Sequence, residues 1–272
     1  MVDEVAKSLK LNRNLSNNLA KAIELDRAIK IGWGAQGDAK PKEGELGIAS
    51  HLPKGARVRL LGNLGDFTAA CCKGGTFTLE GNTLGWFGAF SSEGRMVVER
   101  DAGVRCGHGM TGGRIFCQGS VGDELGASLD GGTVIVRGHA GHRTGIGMNS
   151  GSIVVIGDCK ADAGQGMTGG RIVVDGRCLP EGDGAKQRTL TKAEHKEING
   201  ILKEHDLSVS EDAVLIEADD ERAIPATTPM QTVWGDFGEI GLISGETPID
   251  SSSPIDVVTL ITRGEEDEGI VF

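Results

Sequence analysis

The chain has 272 residues, a formal net charge of -11, and 44 glycines against 7 prolines. The acidic balance argues against a nucleic-acid or anionic-membrane surface, both of which need a basic face. The glycines show no Gly-X-Y period, which excludes collagen, and they are interleaved with Ile and Val runs, which excludes disorder and implies many turns.

Residues 1–50 read as a helical cap and lead-in. Within it, residues 3–26 predict one or two helices, with Leu15, Leu19, Ile23 and Leu25 at near-helical spacing. Such a cap would protect an open end of the next segment from edge pairing. The N-terminus has neither a basic n-region nor an apolar h-region, and no run of about 18 apolar residues occurs. The six cysteines form no CxxC pair and no secreted-type framework, so a reducing, cytoplasmic setting is expected.

Residues 51–180 carry a repeat. The segments beginning at Ala56, Gly75, Gly94, Gly113, Gly132, Gly151 and Gly170 align without insertion, so that position i always recurs at i+19. One apolar column reads Val58, Phe77, Met96, Ile115, Val134, Ile153, Ile172. Two residues on, a second reads Leu60, Leu79, Val98, Cys117, Val136, Val155, Val174. Period-two spacing puts both columns on one buried strand face. A bend column follows with Ala69, Gly88, Gly107, Gly126, Gly145 and Gly164, and beside it a further inward column with Cys72, Ser91, Met110, Leu129, Met148 and Met167. So short a unit cannot hold a strand, a full helix and two turns, so leucine-rich-type solenoids fit poorly. The prediction is an all-β, single-stranded, right-handed parallel β-helix of about seven rungs, stacked about 4.8 Å apart. In rung three Arg100 stands where the other rungs have glycine, which places one bend in question.

The outward positions divide into two rows. Arg57, Thr76, Arg95, Arg114, Thr133, Ser152 and Arg171 are polar, as a solvated face should be. The row between the buried columns turns apolar at Val97, Phe116, Ile135, Val154 and Val173. An apolar stripe on an outside face requires a cover, either the chain's own C-terminal segment or a partner subunit.

The rungs Gly107-His-Gly-Met-Thr-Gly-Gly-Arg-Ile and Gly164-Gln-Gly-Met-Thr-Gly-Gly-Arg-Ile-Val-Val-Asp-Gly resemble the GXGXG-domain family. The resemblance covers about residues 50–178. That family includes the C-terminal domain of the glutamate synthase large subunit and stand-alone subunits of archaeal-type glutamate synthases and N-methylglutamate synthase. One of the subunits of formylmethanofuran dehydrogenase has a similar β-helix. The Asn12-Arg-Asn-Leu segment and the Leu190-Thr-Lys-Ala-Glu-His segment are similar to flanks of the stand-alone glutamate synthase type. The resemblance implies a non-catalytic scaffold subunit of a multisubunit oxidoreductase. FMN and an iron–sulfur cluster would lie in partner subunits, beside a glutamine amidotransferase, with no nucleic-acid or membrane partner. The alternative is the corresponding β-helix subunit of a formylmethanofuran dehydrogenase or formyltransferase/hydrolase complex. In the family glutamine hydrolysis belongs to an N-terminal cysteine; here Val2 follows Met1, and no catalytic, cofactor-binding or metal residue carries over.

Gly107–Gly112 and Gly164–Gly169 each match G-x-G-x-x-G, but a dinucleotide site needs a helix to follow, and here another strand starts within three residues. His139 and His142 share a loop without a partner at metal-ligand spacing and read as a surface pair. His195 and His205 are expected on a solvated helix. Cys71, Cys72 and Cys106 read as small apolar side chains. Cys159 and Cys178 occupy one column on adjacent rungs, with Cα atoms about 5 Å apart, so both a bridge and a reduced packing pair are open.

Residues 181–272 are expected to form a helix and an extended tail. Thr191 and Glu194 make a capping-box pattern that opens a helix to about His205, with Ile198, Ile201 and Leu202 on one face. From Asp206 an extended tail is predicted, with short strands such as Ile240–Ile243 and Val257–Ile261 and a charged end at residues 263–269.

Overall fold

The structure, a computed structural model, describes residues 2–33, 40–41 and 44–219, with side chains from residue 5. The tail strands expected at 240–243 and 257–261, and the charged end, lie outside the described residues. The elements in chain order are helix α1 (Val2–Glu24), strands β1 (Ile29–Ile31), β2 (Arg57–Leu61), β3 (Lys73–Glu80), β4 (Glu93–Val98), β5 (Arg114–Cys117), β6 (Asp130–Val136), β7 (Ser150–Val155), β8 (Arg171–Val174) and β9 (Ala185–Thr189), helix α2 (Lys192–Leu202), a 3₁₀ turn Lys203–His205, and strand β10 (Val214–Ala218).

The repeat folds as a parallel β-helix. From β2 to β8 every strand pairs in parallel with the next, and Val58, Phe77, Met96, Ile115, Val134, Ile153 and Ile172 are consecutive register partners. A second parallel column of single bridges runs Leu64, Thr83, Ala102, Val121, Ala140, Cys159, Cys178. Both inward strand columns and the Cys72–Met167 column are buried in one continuous core. In-register stacking is what makes this possible: equal side chains sit above one another, so one apolar choice per column fills the whole interior.

The bend explains two different uses of the left-handed backbone. Ala69 and Gly88, Gly107, Gly126, Gly145 and Gly164 all have positive φ, and Ala69 is buried in the core. A Cβ built on Gly126 would stand 2.5 Å from Ile153 Cδ1, and one on Gly145 the same distance from Ile172 Cδ1. Space as well as conformation therefore demands glycine there. Two residues earlier, Phe67, Trp86, Arg105, Glu124, Arg143 and Asp162 also adopt positive φ. That backbone conformation is unfavourable for bulky L-residues.

Polar side chains also form a ladder along the solenoid. Each acceptor at position i takes the backbone N–H of residue i+19, one coil on. Asn63 Oδ1 accepts from Asn82 (2.9 Å), Asn82 Oδ1 from Asp101 (3.1 Å) and Asp101 Oδ1 from Ser120 (2.7 Å). Ser120 Oγ then accepts from His139 (3.1 Å), His139 Nδ1 from Asp158 (2.9 Å) and Asp158 Oδ1 from Arg177 (2.9 Å). These are turn N–H groups that the strands cannot serve, and the ladder satisfies them coil by coil. It settles the bend at Arg100, which is kept: Gly119 N–H donates to Arg100 O at 3.1 Å, and the ladder continues through Asp101.

Both ends of the stack are closed by the chain's own flanks. Before the first predicted rung, the lead-in supplies another. Ile29 pairs with Val58 and Ile31 with Leu60, while Gly47, Ala49 and His51 repeat the left-handed bend of Phe67, Ala69 and Cys71. His51 N–H donates to Ala70 O and Ala69 N–H to Ile48 O, both at 2.8 Å. The boundary at residue 51 therefore moves: the solenoid takes in part of the predicted lead-in. Helix α1 lies against this rung with Leu15 buried. Asn12 clamps the bend with both ends of its amide, Nδ2 donating to Gly47 O (3.1 Å) and Oδ1 accepting from Ala49 N–H (3.2 Å). At the other end β10 inserts antiparallel between β8 and β9, placing Ile216 in the core column and Leu215 in the outer stripe. The antiparallel pair ends the parallel stacking there.

Candidate interaction surfaces

The apolar outer stripe is covered by this chain. Phe116, Ile135, Val154 and Val173 form a second core with Ile198 and Leu202 of α2 and with Val209, Ala213 and Leu215 of the return segment; Val97 packs at its margin. The capping box is present, with Thr191 Oγ1 accepting from Glu194 N–H and the Glu194 carboxylate accepting from Thr191 N–H. The polar row beside the stripe then holds the cover. Arg95 and Arg114 both reach Glu204 (3.2 and 2.9 Å), and Arg171 reaches Glu197 (2.6 Å) and Ser152 Oγ (2.8 Å). That row is therefore not uniformly solvated: Ser152 is buried. Behind the helix, Arg188 joins Glu194 and Glu217 (2.7 and 2.9 Å). Its hydrogen bond is the main reason the Glu194 carboxyl is held down at about 2.

Two histidines expected on the solvated side of α2 are engaged instead. The His205 side chain is 6% exposed and lies on the Phe116 ring with centroids 3.9 Å apart. Burial is the largest influence on it and lowers its pKa, the nearby Arg95 and Arg114 act the same way, and Glu204 opposes them. His195 bridges Ser210 O and Asn199 Nδ2, each at 3.1 Å. Helical spacing put both residues off the apolar face, but His205 docks on Phe116 of the stripe and Ser210 of the return segment reaches His195.

Among the described residues an apolar surface remains uncovered, at the bend corner of the first coils. Phe67 and Trp86, one coil apart in the outward left-handed column, stack with centroids 5.3 Å apart; Trp86 and Phe90 stack at 6.0 Å. His108 stands edge-on to Trp86 (4.7 Å) and to Phe90 (5.2 Å). The Arg105 guanidinium lies 4.9 Å from the Trp86 ring centre and pairs with Glu124 (2.6 Å), which also takes Arg143 (2.7 Å). These arginine bonds hold the Glu124 carboxyl below its ordinary value, with the Arg105 hydrogen bond the largest influence. Burial between the rings, aided by Arg105, lowers the His108 imidazole. Phe67 is 43%, Phe90 48%, Leu84 55% and Val104 48% exposed. Large aromatic side chains on left-handed backbone are kept where glycine would relax the chain, which points to a use for the rings. Sequence reasoning missed this corner. The signal lay in the repeat, as the Phe67–Trp86 step is one period long, but the column continues through Arg105, Glu124, Arg143 and Asp162 and so shows no common residue type.

Chemically, the corner is an aromatic cluster rimmed by a cation–π arginine and a triple ion pair, the composition of a protein-contact anchor. Nucleophile-and-base geometry is not what it offers. The two G-x-G-x-x-G segments are bends that run straight into β5 and β8, without the helix that a phosphate site needs. His139 lies at the surface, with Nδ1 engaged in the ladder. Among the described residues no group of three or more His, Cys, Asp or Glu is placed to hold a metal ion, and no helix is long and apolar enough to cross a membrane. Cys72, Cys106 and Cys117 are buried, and burial pushes their thiols up, Cys117 to about 12. All six cysteines are free thiols.

Comparison with known proteins finds no family model that matches the chain and no curated protein that matches it.

Proposed function

We propose that the chain is a non-catalytic scaffold subunit of a glutamate synthase-like oxidoreductase complex, bracing a glutamine amidotransferase and an FMN/iron–sulfur subunit in a cytoplasmic assembly. One observation carries the scaffold part of this reading: a ladder of polar side chains is taken up in coil-to-coil bonding, while among the described residues the Phe67–Trp86–Phe90 corner is left uncovered on a rigid support. A surface of that kind loses the least entropy on docking, because its rings are already fixed. The choice of complex rests on the resemblance of the Gly107 and Gly164 rungs to the GXGXG domain. In this reading the corner is the contact to a catalytic partner, and FMN and the cluster belong to the partners.

The test is affinity purification of the tagged full chain from its own cells, followed by absorption spectra and metal analysis. Flavin and iron–sulfur absorbance in the captured complex is the expected result. Molybdenum or tungsten with an amidohydrolase partner would transfer the chain to the formylmethanofuran dehydrogenase alternative, and a single chain active alone would overturn the scaffold reading. Replacing Trp86 and Phe90 together by alanine is expected to release the partners while circular dichroism is retained. Retention of the partners at wild-type yield would remove the corner from the interface.

A further inference from the structure

The last two coils bring two thiols together, and they do so differently from the other cysteines. Cys159 and Cys178 are register partners in the single-bridge column of the β-helix, where adjacent backbones lie about 4.8 Å apart. That spacing is inside the Cα range of an unstrained disulfide. Earlier coils fill this column with Leu64, Thr83, Ala102, Val121 and Ala140, so the shape of the coil does not itself demand cysteine. The Cys178 Sγ donates to the backbone O of Leu179 at 3.4 Å. Cys159 is 1% exposed, whereas Cys178 is only partly buried. By contrast, Cys106 and Cys117 are both fully buried.

We infer that Cys159 and Cys178 form a reversible disulfide that staples the final coil of the solenoid, with a low-molecular-weight disulfide of the glutathione type as oxidant. Cys178, the reachable sulfur, exchanges first. Its deprotonated form attacks the oxidant's S–S bond, forms a mixed disulfide and releases one small thiolate. The Cys159 thiolate then attacks the Cys178 sulfur and expels the second small thiolate. The protein's two S–H bonds become one S–S bond, two electrons pass to the oxidant, and the two protons end on the two small thiols. The neighbouring Cys159 and burial push the Cys178 thiol up, so its reachability, and not its acidity, is what sends it first. The small group leaves from Cys178, the less buried of the two residues. The bond would close a ring of one full coil at the point where the chain leaves the solenoid for β9.

The purified full chain is incubated with oxidised glutathione, quenched by alkylation and examined by thiol counting under denaturing conditions and by peptide mass mapping. The expected result is loss of two of the six thiols, a cross-linked peptide pair holding Cys159 and Cys178, a higher thermal midpoint, and full reversal by dithiothreitol. Cys178→Ser should abolish the cross-link and the midpoint shift. Cys159→Ser should stop at a stable glutathione adduct on Cys178, a species that forms even if the staple contributes nothing to stability. Retention of all six thiols, or a cross-link through any other pair, would overturn the assignment. If Cys178→Ser fails to fold, the wild-type mass map decides the matter alone.

Discussion

Gly126→Ala separates the two reasons for glycine at the bend. At Gly126 φ is +61°, and an added Cβ would stand 2.5 Å from Ile153 Cδ1 and 3.2 Å from its Cγ1. Gly166 has φ +65° with nothing within 4 Å of its would-be Cβ. Alanine at Gly166 therefore incurs only the left-handed penalty, about 1–2 kcal/mol. Alanine at Gly126 incurs the same penalty and must also displace a fully buried isoleucine, an overpacking cost of about 1–3 kcal/mol more. Ile153→Val removes the offending methyl and alone should cost about 0.5–1.5 kcal/mol. Urea unfolding of the four variants, including the Gly126→Ala/Ile153→Val double, reads these differences as midpoint shifts. The double variant should be more stable than the sum of the singles predicts, since its second change relieves the clash made by the first. Equal destabilisation by Gly126→Ala and Gly166→Ala, with additive behaviour of the pair, would refute the claim that space in the core sets this column.

Leu202→Ala removes a fully buried side chain from the cover over the stripe; a loss of about 2–5 kcal/mol is expected, together with dye binding to the exposed Phe116, Ile135 and Val154. Glu194 has a folded pKa of about 2, below its unfolded value of about 4.3. Its contribution is complete above about pH 4.3 and lost as pH falls toward 2, so the stability of Glu194→Gln should change less with pH across that window in urea titrations. His205 is shifted down by burial, so the unfolded chain takes up its proton first. Stability tied to it is complete above about pH 6.5 and falls as pH drops below that value. Amide protection factors in residues 192–205, taken relative to the intrinsic exchange rate at each pH, should fall at pH 5 relative to pH 7.5, and this fall should diminish in His205→Gln.

The constant period was sufficient to determine the central architecture. In a parallel stack the residue above position i is position i+19, so a column read along the sequence is a column in space. The burial of Val58 through Ile172 and of Leu60 through Val174, the glycine bend and the meeting of Cys159 with Cys178 all follow from that one relation. The Thr191–Glu194 cap and the apolar face of α2 were legible for a similar reason: both are local patterns with a fixed geometry.

Only the tertiary structure decided where the period stops mattering. The first rung steps from Ile29 to Val58 along its strand and from Ala49 to Ala69 at its bend. Both steps are longer than one regular coil, and they differ from each other, so no search at a constant period registers that rung; backbone hydrogen bonds and the Asn12 clamp hold it in place instead. The cover over Val97–Val173 and the burial of His205 depend on a helix that docks from outside the repeat, with Arg95, Arg114 and Arg171 fixing its position. The Phe67–Trp86–Phe90 corner belongs to the repeat, yet its meaning rests on which way a left-handed bend points a side chain. Periodicity records which residues stack; it is silent on whether they face the core, the solvent or a returning segment, because that direction is set by backbone dihedral angles and by contacts between segments of unequal length.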